Sequence, residues 1–168
     1  MSVYDWYQKA LVVATEAHKG QMDDSGRPYI LHPIHVAADC ELWQSKVIAL
    51  LHDVVEDTDV TLDRLRKLGF PDWVVDGVDD ITHRDGESLR DYLTRVNANS
   101  IARLAKIADI HHNMSWERIK DLPVERQIRL VAKGIRSLHY LRYGEWYETP
   151  ELKAVLKQGA KPDTKKTE

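Results

Sequence analysis

The chain has 168 residues, 43% hydrophobic and 30% charged, which is the size and composition of one packed globular domain. Its formal net charge of −3 argues against general nucleic-acid binding, which needs a basic surface. A single cysteine excludes an internal disulfide, so a reduced, cytoplasmic setting is expected. Neither a secretory signal nor an uncharged run of about 18 apolar residues is found, so no membrane association is expected.

Apolar residues recur at helical spacing along almost the whole chain. A first run extends from Trp6 to Ala17 and a second covers residues 47–54. No segment alternates with the period of two that is typical of strands. The pattern predicts an all-α fold, a single bundle of about eight or nine helices over residues 1–158. The polar segment 159–168 is expected to be a disordered tail.

Helix boundaries are indicated by capping residues and by one turn-rich loop. Ser88 and Ser100 precede amphipathic runs and are expected to cap the helices that follow them. Residues 20–29 are rich in Asp, Ser, Gly and Pro, the residues that favour turns. This loop leads into a pair of histidines, so we expect it to contribute to function.

The segment His52-Asp53-Val54-Val55-Glu56-Asp57 is the first candidate site. On a helix, Glu56 follows His52 by four residues and Asp53 by three, so these side chains face one region. Carboxylates gathered in this way raise one another's pKa unless a cation neutralises them, and a divalent metal is the simplest such cation. The alternative is a solvent-exposed helix end that is acidic without being a site.

Two further segments add potential metal ligands. Asp109 lies in an apolar helix with Lys106 on the same face, and a buried aspartate needs a partner. His32 precedes a proline that opens a helix. Two imidazoles and two carboxylates form a mixed nitrogen and oxygen site that suits Mn, Fe, Zn, Co or Ni. The extra carboxylates Glu56 and Asp57 indicate that a bound water is activated there.

These segments together resemble a known family. They are Ala17–Gln21, Ser25–Pro33, Leu50–Thr58, Lys106–Asp109 and His112–Met114. The pair His52-Asp53 resembles the one that names the HD superfamily of metal-dependent phosphohydrolases. The ordered set is similar to the hydrolase domain of RelA/SpoT-type enzymes, which act on the alarmone (p)ppGpp.

The resemblance implies a metal-dependent hydrolase that removes pyrophosphate from the 3′ position of ppGpp. It implies that one divalent ion, Mn²⁺ in the family, is bound by His32, His52, Asp53 and Asp109. It also implies that Glu56 and Asp57 activate water, and that Ser25, Asn113 and Lys106 contact the nucleotide. Without a synthetase or regulatory domain, the chain is expected to act as a small hydrolase on its own. The expected partner is therefore a small nucleotide, without nucleic acid or membrane, and the sequence leaves the oligomeric state open.

The sequence departs from this family on the substrate side. Asp23 and Asp24 stand where alarmone enzymes usually carry a basic pair, and Ile110 and Trp116 replace a usual arginine and a small hydroxyl residue. Acidic residues repel an anionic ligand, although Arg27 can supply some positive charge. Two alternatives therefore stay open: hydrolysis of another nucleotide, such as the 2′-phosphate of NADPH, and a nucleotide-binding module without turnover.

Overall fold

A computed structural model of the chain describes residues 2–157, which are helical apart from their connections. The helices are, in chain order, α1 (Val3–Ala17), α2 (Leu31–Asp39), α3 (Trp43–Leu51), α4 (Val54–Asp57), α5 (Leu62–Lys67), α6 (Asp72–Ile81), α7 (Leu89–Ala98), α8 (Ser100–Asn113), α9 (Trp116–Ile119), α10 (Val124–Tyr143) and α11 (Pro150–Lys157). Helices α4 and α9 are single turns of four residues, so the nine longer helices agree with the prediction. Within residues 2–157 the one β-type pairing is an isolated bridge between Met22 and Pro28, which confirms the all-α fold.

Helix α3 is at the centre of the main core. Its residues 47–51 are fully buried, so every face of this part of the helix is covered. Helices α1 and α2 pack against α3, and α6 also contacts it. At Gly77 of α6 a Cβ atom would collide with Cδ1 of Ile48, so α6 approaches α3 closely. This packing fixes the end of α3, which carries His52 into the interior.

The helix caps agree in part with the sequence predictions. Ser88 accepts a backbone hydrogen bond from the first turn of α7, as expected. The prediction for Ser100 is wrong, because α8 begins at that residue. Its N-terminal N–H groups are satisfied instead by Asn99, whose Oδ1 accepts from Ile101 at 3.1 Å and Ala102 at 3.2 Å.

The chain divides into two compact units, one through His112 and one from Asn113. The first holds the main core and helices α1 to α7 with nearly all of α8. In the second, α10 packs against α11, and Tyr140 and Leu141 are buried. A single domain over residues 1–158 stays a prediction, and the predicted tail lies outside the described residues. No helix between residues 2 and 157 combines the length and apolar character needed to cross a membrane.

Candidate metal centre

A break between two helices brings His52 and Asp53 to one point. Helix α3 ends at Leu51, His52 is its C-cap, and Asp53 is the N-cap of α4 with φ −98° and ψ −6°. On a continuous helix, consecutive side chains point about 100° apart. The break removes this restriction, so His52 Nε2 and Asp53 Oδ2 lie 3.0 Å apart. The sequence predicted the shared region but not the break that creates it.

Donor atoms of His32, His52 and Asp109 meet at this point, and Asp53 lies beside the two histidines. His32 Nε2, in the first turn of α2, lies 3.2 Å from His52 Nε2 and 3.2 Å from Asp109 Oδ1. Asp109, from α8, lies 3.5 Å from His52 Nε2, and Asp53 Oδ2 lies 3.5 Å from His32 Nε2. His32, His52 and Asp109 are buried, and their donor atoms all lie within 4.8 Å of one another.

Both histidines direct Nε2 into the cluster. His52 Nδ1 lies 2.6 Å from the carbonyl oxygen of Ala49, so this nitrogen must donate. Burial opposes a charge on His52, but Asp53 and Asp109 raise its pKa to about 10. Burial and the neighbouring His52 lower the pKa of His32. The two carboxylates therefore favour a positive charge at Nε2 of His52.

A divalent metal ion can supply this positive charge in place of a proton. Ligand atoms about 2.1 Å from one ion are separated by about 3.0 Å at a right angle and about 3.4 Å at the tetrahedral angle. The separations of 3.0 to 3.5 Å between the two histidines, and between each histidine and the two carboxylates, agree with this geometry. Imidazole nitrogen with carboxylate oxygen is the donor set of a transition metal rather than of calcium. The residues present therefore fit a divalent metal ion.

Lys106 neutralises the buried Asp109. Lys106 Nζ lies 2.8 Å from Asp109 Oδ2 and 5.3 Å from the centre of the Tyr92 ring. Burial alone raises the pKa of Asp109, but Lys106 and the histidines hold it well below its usual value. The structure thus brings Lys106 to a metal-site carboxylate, and its contact with substrate stays a prediction.

Tyr29 contacts the centre, although the sequence analysis gave it no role. Its hydroxyl donates to Asp53 Oδ2 at 2.6 Å and lies 3.5 Å from Asp57 Oδ2. Burial and the charge of Asp53 raise the pKa of Tyr29, so the hydroxyl keeps its proton and donates. Tyr29 precedes His32 by three residues, and this spacing was the signal in the sequence that could have identified it.

Glu56 and Asp57 are exposed beside the donor cluster. Glu56 Oε2 accepts from the backbone N–H of His83 at 2.9 Å. Desolvation and the charges of Asp53 and Glu56 raise the pKa of Asp57. These carboxylates lie where they can handle a proton without being part of the buried cluster. Their catalytic role stays a prediction.

Residues 22–28 form a loop that is held by its own side chains. Asp23 Oδ1 accepts from the N–H groups of Ser25 and Arg27, each at 2.9 Å. Asp23 Oδ2 pairs with the Arg27 guanidinium at 3.2 Å. Asp23 is therefore neutralised within the loop, whereas Asp24 and Ser25 are exposed. Arg27 is already engaged by Asp23.

The other predicted contact, Asn113, lies at the end of α8 and in the second compact unit. Its Oδ1 accepts from Arg118 Nη2 at 3.3 Å. Trp116, in the same unit, is 69% exposed. A role for Asn113 at the nucleotide stays a prediction.

The sequence is similar to curated bacterial enzymes, although no protein-family model matches it. It is 39% identical over 144 residues to a probable GTP pyrophosphokinase of Mycobacterium leprae, with 78% of this chain covered. It is 32% identical over 169 residues to a guanosine-3′,5′-bis(diphosphate) 3′-pyrophosphohydrolase of Borreliella burgdorferi, with 88% covered. Identity to the bifunctional (p)ppGpp synthase/hydrolase SpoT of Escherichia coli is 38% over 122 residues, with 64% covered. The chain spans only 18%, 24% and 17% of the lengths of these relatives.

A solved structure shares the fold. It is a metazoan ortholog of SpoT that is described as hydrolysing ppGpp and playing a role in starvation responses. The TM-score is 0.67 at 24% identity, and the match covers 91% of this chain and 92% of the other. With the sequence matches, this likeness confirms the resemblance seen in the motifs. The chain is an HD-type domain related to the hydrolase region of the RelA/SpoT alarmone enzymes.

Proposed function

We propose that this chain is a metal-dependent hydrolase that removes pyrophosphate from the 3′ position of ppGpp in the cytoplasm. The observation that carries the proposal is the buried cluster of imidazole and carboxylate donors with exposed carboxylates beside it. Relatives named as hydrolases of guanosine-3′,5′-bis(diphosphate) support this choice of substrate. The partner is a small nucleotide rather than a nucleic acid or a membrane.

The proposed metal is Mn²⁺, and the proposed ligands are His32, His52, Asp53 and Asp109. Fe, Co, Ni and Zn also suit this donor set, and their availability in the cell contributes to the choice. When bound, such an ion neutralises phosphate charge and makes water a better nucleophile near neutral pH. Tyr29 supports the ligand set by its hydrogen bond to Asp53.

Glu56 is the proposed general base, with Asp57 as its helper. The His83 N–H holds one oxygen of Glu56, and the other oxygen can take a proton from water. The water oxygen attacks the phosphorus that is bonded to O3′ of the ribose, and the bond from phosphorus to O3′ breaks. O3′ leaves with the electron pair and is protonated, which gives GDP and pyrophosphate.

Ser25 and Asn113 are the proposed contacts to the nucleotide. Ser25 is exposed on the 22–28 loop, so its hydroxyl can reach a ligand. Lys106 is proposed as a weaker phosphate contact, and its ion pair with Asp109 limits its reach. These assignments rest on the family resemblance together with the positions of the side chains.

A second candidate reaction is release of orthophosphate from the 2′ position of a dinucleotide such as NADPH. The observation that favours it is the acidic 22–28 loop. Asp23 engages Arg27, and Asp24 adds an exposed negative charge. A loop with this charge does not provide the basic pair that alarmone enzymes offer to a nucleotide with two diphosphates.

A product-release assay with ppGpp, NADPH and common nucleotides distinguishes these reactions. With Mn²⁺ present, the purified chain is expected to release pyrophosphate from ppGpp, and Asp53→Ala is expected to abolish this release. Asp63→Ala is the matched control, because Asp63 is exposed and pairs only locally with Arg66. Release of orthophosphate from NADPH instead would show that NADPH rather than ppGpp is the substrate. If no nucleotide is turned over, the result would favour a module that binds nucleotides without catalysis.

A further inference from the structure

The two proposed histidine ligands are supported in different ways. His52 Nδ1 bonds to a backbone carbonyl, that of Ala49 at 2.6 Å. His32 Nδ1 bonds to a side chain, with His112 Nδ1 at 2.7 Å. Metal-bound histidines commonly donate their second N–H to a carboxylate, a carbonyl or water. His112 differs from these usual partners of a metal-bound histidine, because an imidazole nitrogen can act either as donor or as acceptor.

The proton positions follow from the geometry if His32 is a metal ligand. His32 Nε2 faces His52 Nε2 at 3.2 Å and Asp109 Oδ1 at 3.2 Å, so binding through Nε2 leaves the imidazole proton on Nδ1. At 2.7 Å from His112 Nδ1, that proton must be donated to a lone pair. His112 therefore carries its own proton on Nε2. The two ring planes differ by 26°, which suits an N–H···N bond.

A third ring holds His112 in place. His35 lies one turn after His32 on α2, and its ring is inclined by only 12° to that of His112, with centroids 5.1 Å apart. His35 is exposed, so it covers His112 on the solvent side. The arrangement connects α8 to α2 directly at a proposed metal ligand, and each ring limits the rotation of the next.

We propose that His112 is a positioning residue that accepts the Nδ1 proton of His32 and thereby fixes the orientation and tautomer of this metal ligand. The inference rests on the proposed function only in taking His32 as a ligand of the metal. It requires neither ppGpp nor any other particular substrate. It gives one specific role to His112, which shares a helix face with Asp109 and for which the sequence left open a contact with substrate or with a carboxylate near the metal site.

Two substitutions at His112 separate the hydrogen bond from mere packing. Asn places a side-chain oxygen close to the position of Nδ1 and keeps an acceptor, whereas Leu fills a similar space without one. We expect Mn²⁺ affinity, measured by calorimetry, to fall about 10-fold to 100-fold in His112→Leu. His112→Asn is expected to stay within about threefold of the wild type. His111→Leu, at an exposed neighbouring position, is the matched control.

A spectroscopic measurement on the wild type avoids any folding defect of the variants. In the Zn²⁺-loaded protein, long-range ¹⁵N–¹H correlation spectra are expected to show His112 protonated at Nε2 and His32 at Nδ1. A proton on Nδ1 of His112, or equal Mn²⁺ affinity in His112→Leu and the wild type, would overturn the inference. An equal loss of Mn²⁺ affinity in His112→Asn and His112→Leu would also overturn it, because lost packing would then explain the effect. A wild type that binds neither metal would instead refute the proposed metal site itself.

Discussion

The donor cluster and the two loops near it, residues 22–28 and 82–88, are held in different ways. Two donors in the cluster are fixed by groups from distant parts of the chain, Asp53 by Tyr29 and His32 by His112. The other two are fixed by groups one turn earlier in the chain, Asp109 by Lys106 and His52 by the carbonyl of Ala49. Each loop is fixed by an arginine that pairs with a carboxylate of the loop itself. Arg27 pairs with Asp23 in the first loop, and Arg95 pairs with Glu87 in the second at 2.6 Å.

This difference indicates which part of the site tolerates change. A donor held by several helices cannot be altered without disturbing the core, so the metal chemistry is fixed by the fold. The 22–28 loop, which is held by its own ion pair, can change its exposed residues while its backbone stays in place. Asp24 and Ser25 are such exposed residues. We infer that substrate preference is set in the loops and metal binding in the cluster.

The largest expected effect separates catalysis from metal binding. Glu56→Gln removes the proposed base but leaves the buried donors and the acceptor for His83 N–H. We expect kcat for ppGpp to fall about 10²-fold to 10⁴-fold, because general bases contribute rate enhancements of this size. Mn²⁺ affinity from calorimetry is expected to change less than about threefold. Glu16→Gln, on the exposed side of α1, is the control. A parallel loss of metal affinity would place Glu56 in the cluster.

The next effect tests whether the cluster depends on Lys106. Lys106→Met leaves the buried Asp109 without its cation, and breaking a buried ion pair costs about 3–5 kcal/mol. We expect urea unfolding in the presence of a chelator to show that the free energy of unfolding falls by about 3 kcal/mol, the lower end of this range, because the lysine side chain is 20% exposed. Saturating Mn²⁺ is expected to stabilise this variant more than the wild type, because the ion also neutralises Asp109. Lys19→Met is an exposed control. An equal gain from Mn²⁺ in both proteins would contradict the prediction.

The sequence predicted the helices and the residues of the cluster better than it predicted the contacts that support them. Motif spacing brought His52, Asp53 and Asp109 together as candidates because covalent neighbours and helix turns limit where they can lie. The roles of Tyr29 and His112 depend on packing between helices that are distant in the sequence. The pairing of Asp23 with Arg27 was also missed, because composition shows charges but not their partners. Local spacing thus identifies the donors and the Lys106 partner of Asp109, whereas tertiary packing determines the contacts of Asp53 and His32.

A smaller effect tests the role of the 22–28 loop in substrate choice. Asp24→Lys keeps the Asp23 contacts that hold the loop and reverses one exposed charge. We expect kcat/KM for ppGpp to rise about fivefold to tenfold through KM, because a cation then faces the phosphates. The gain is expected to shrink at high salt, where exposed charges are screened. Glu41→Lys makes the same charge change at an exposed position outside the loop. An equal gain in both variants would show a general effect of net charge.

The smallest effect concerns the stability of the 82–88 loop at acidic pH. Burial alone raises the pKa of Glu87. Hydrogen bonds from Arg95 and from the Arg84 backbone lower it by more than burial raises it, so the pKa in the folded protein lies below the usual value. A lowered folded pKa adds stability above the unfolded pKa, about 4.3, and this stability is lost as the pH falls through the folded pKa.

We therefore expect the free energy of unfolding of Glu87→Gln to be lower than that of the wild type at pH 7, and the two curves to converge below about pH 4. Urea titrations at a series of pH values measure this difference, and the other carboxylates that titrate in both proteins cancel. Glu41→Gln is the exposed control. Parallel curves for Glu87→Gln and the wild type would show that the Arg95 ion pair contributes no pH-dependent stability. Because His83 in this loop holds Glu56, convergence at low pH would also indicate that the loop weakens as Glu87 is protonated.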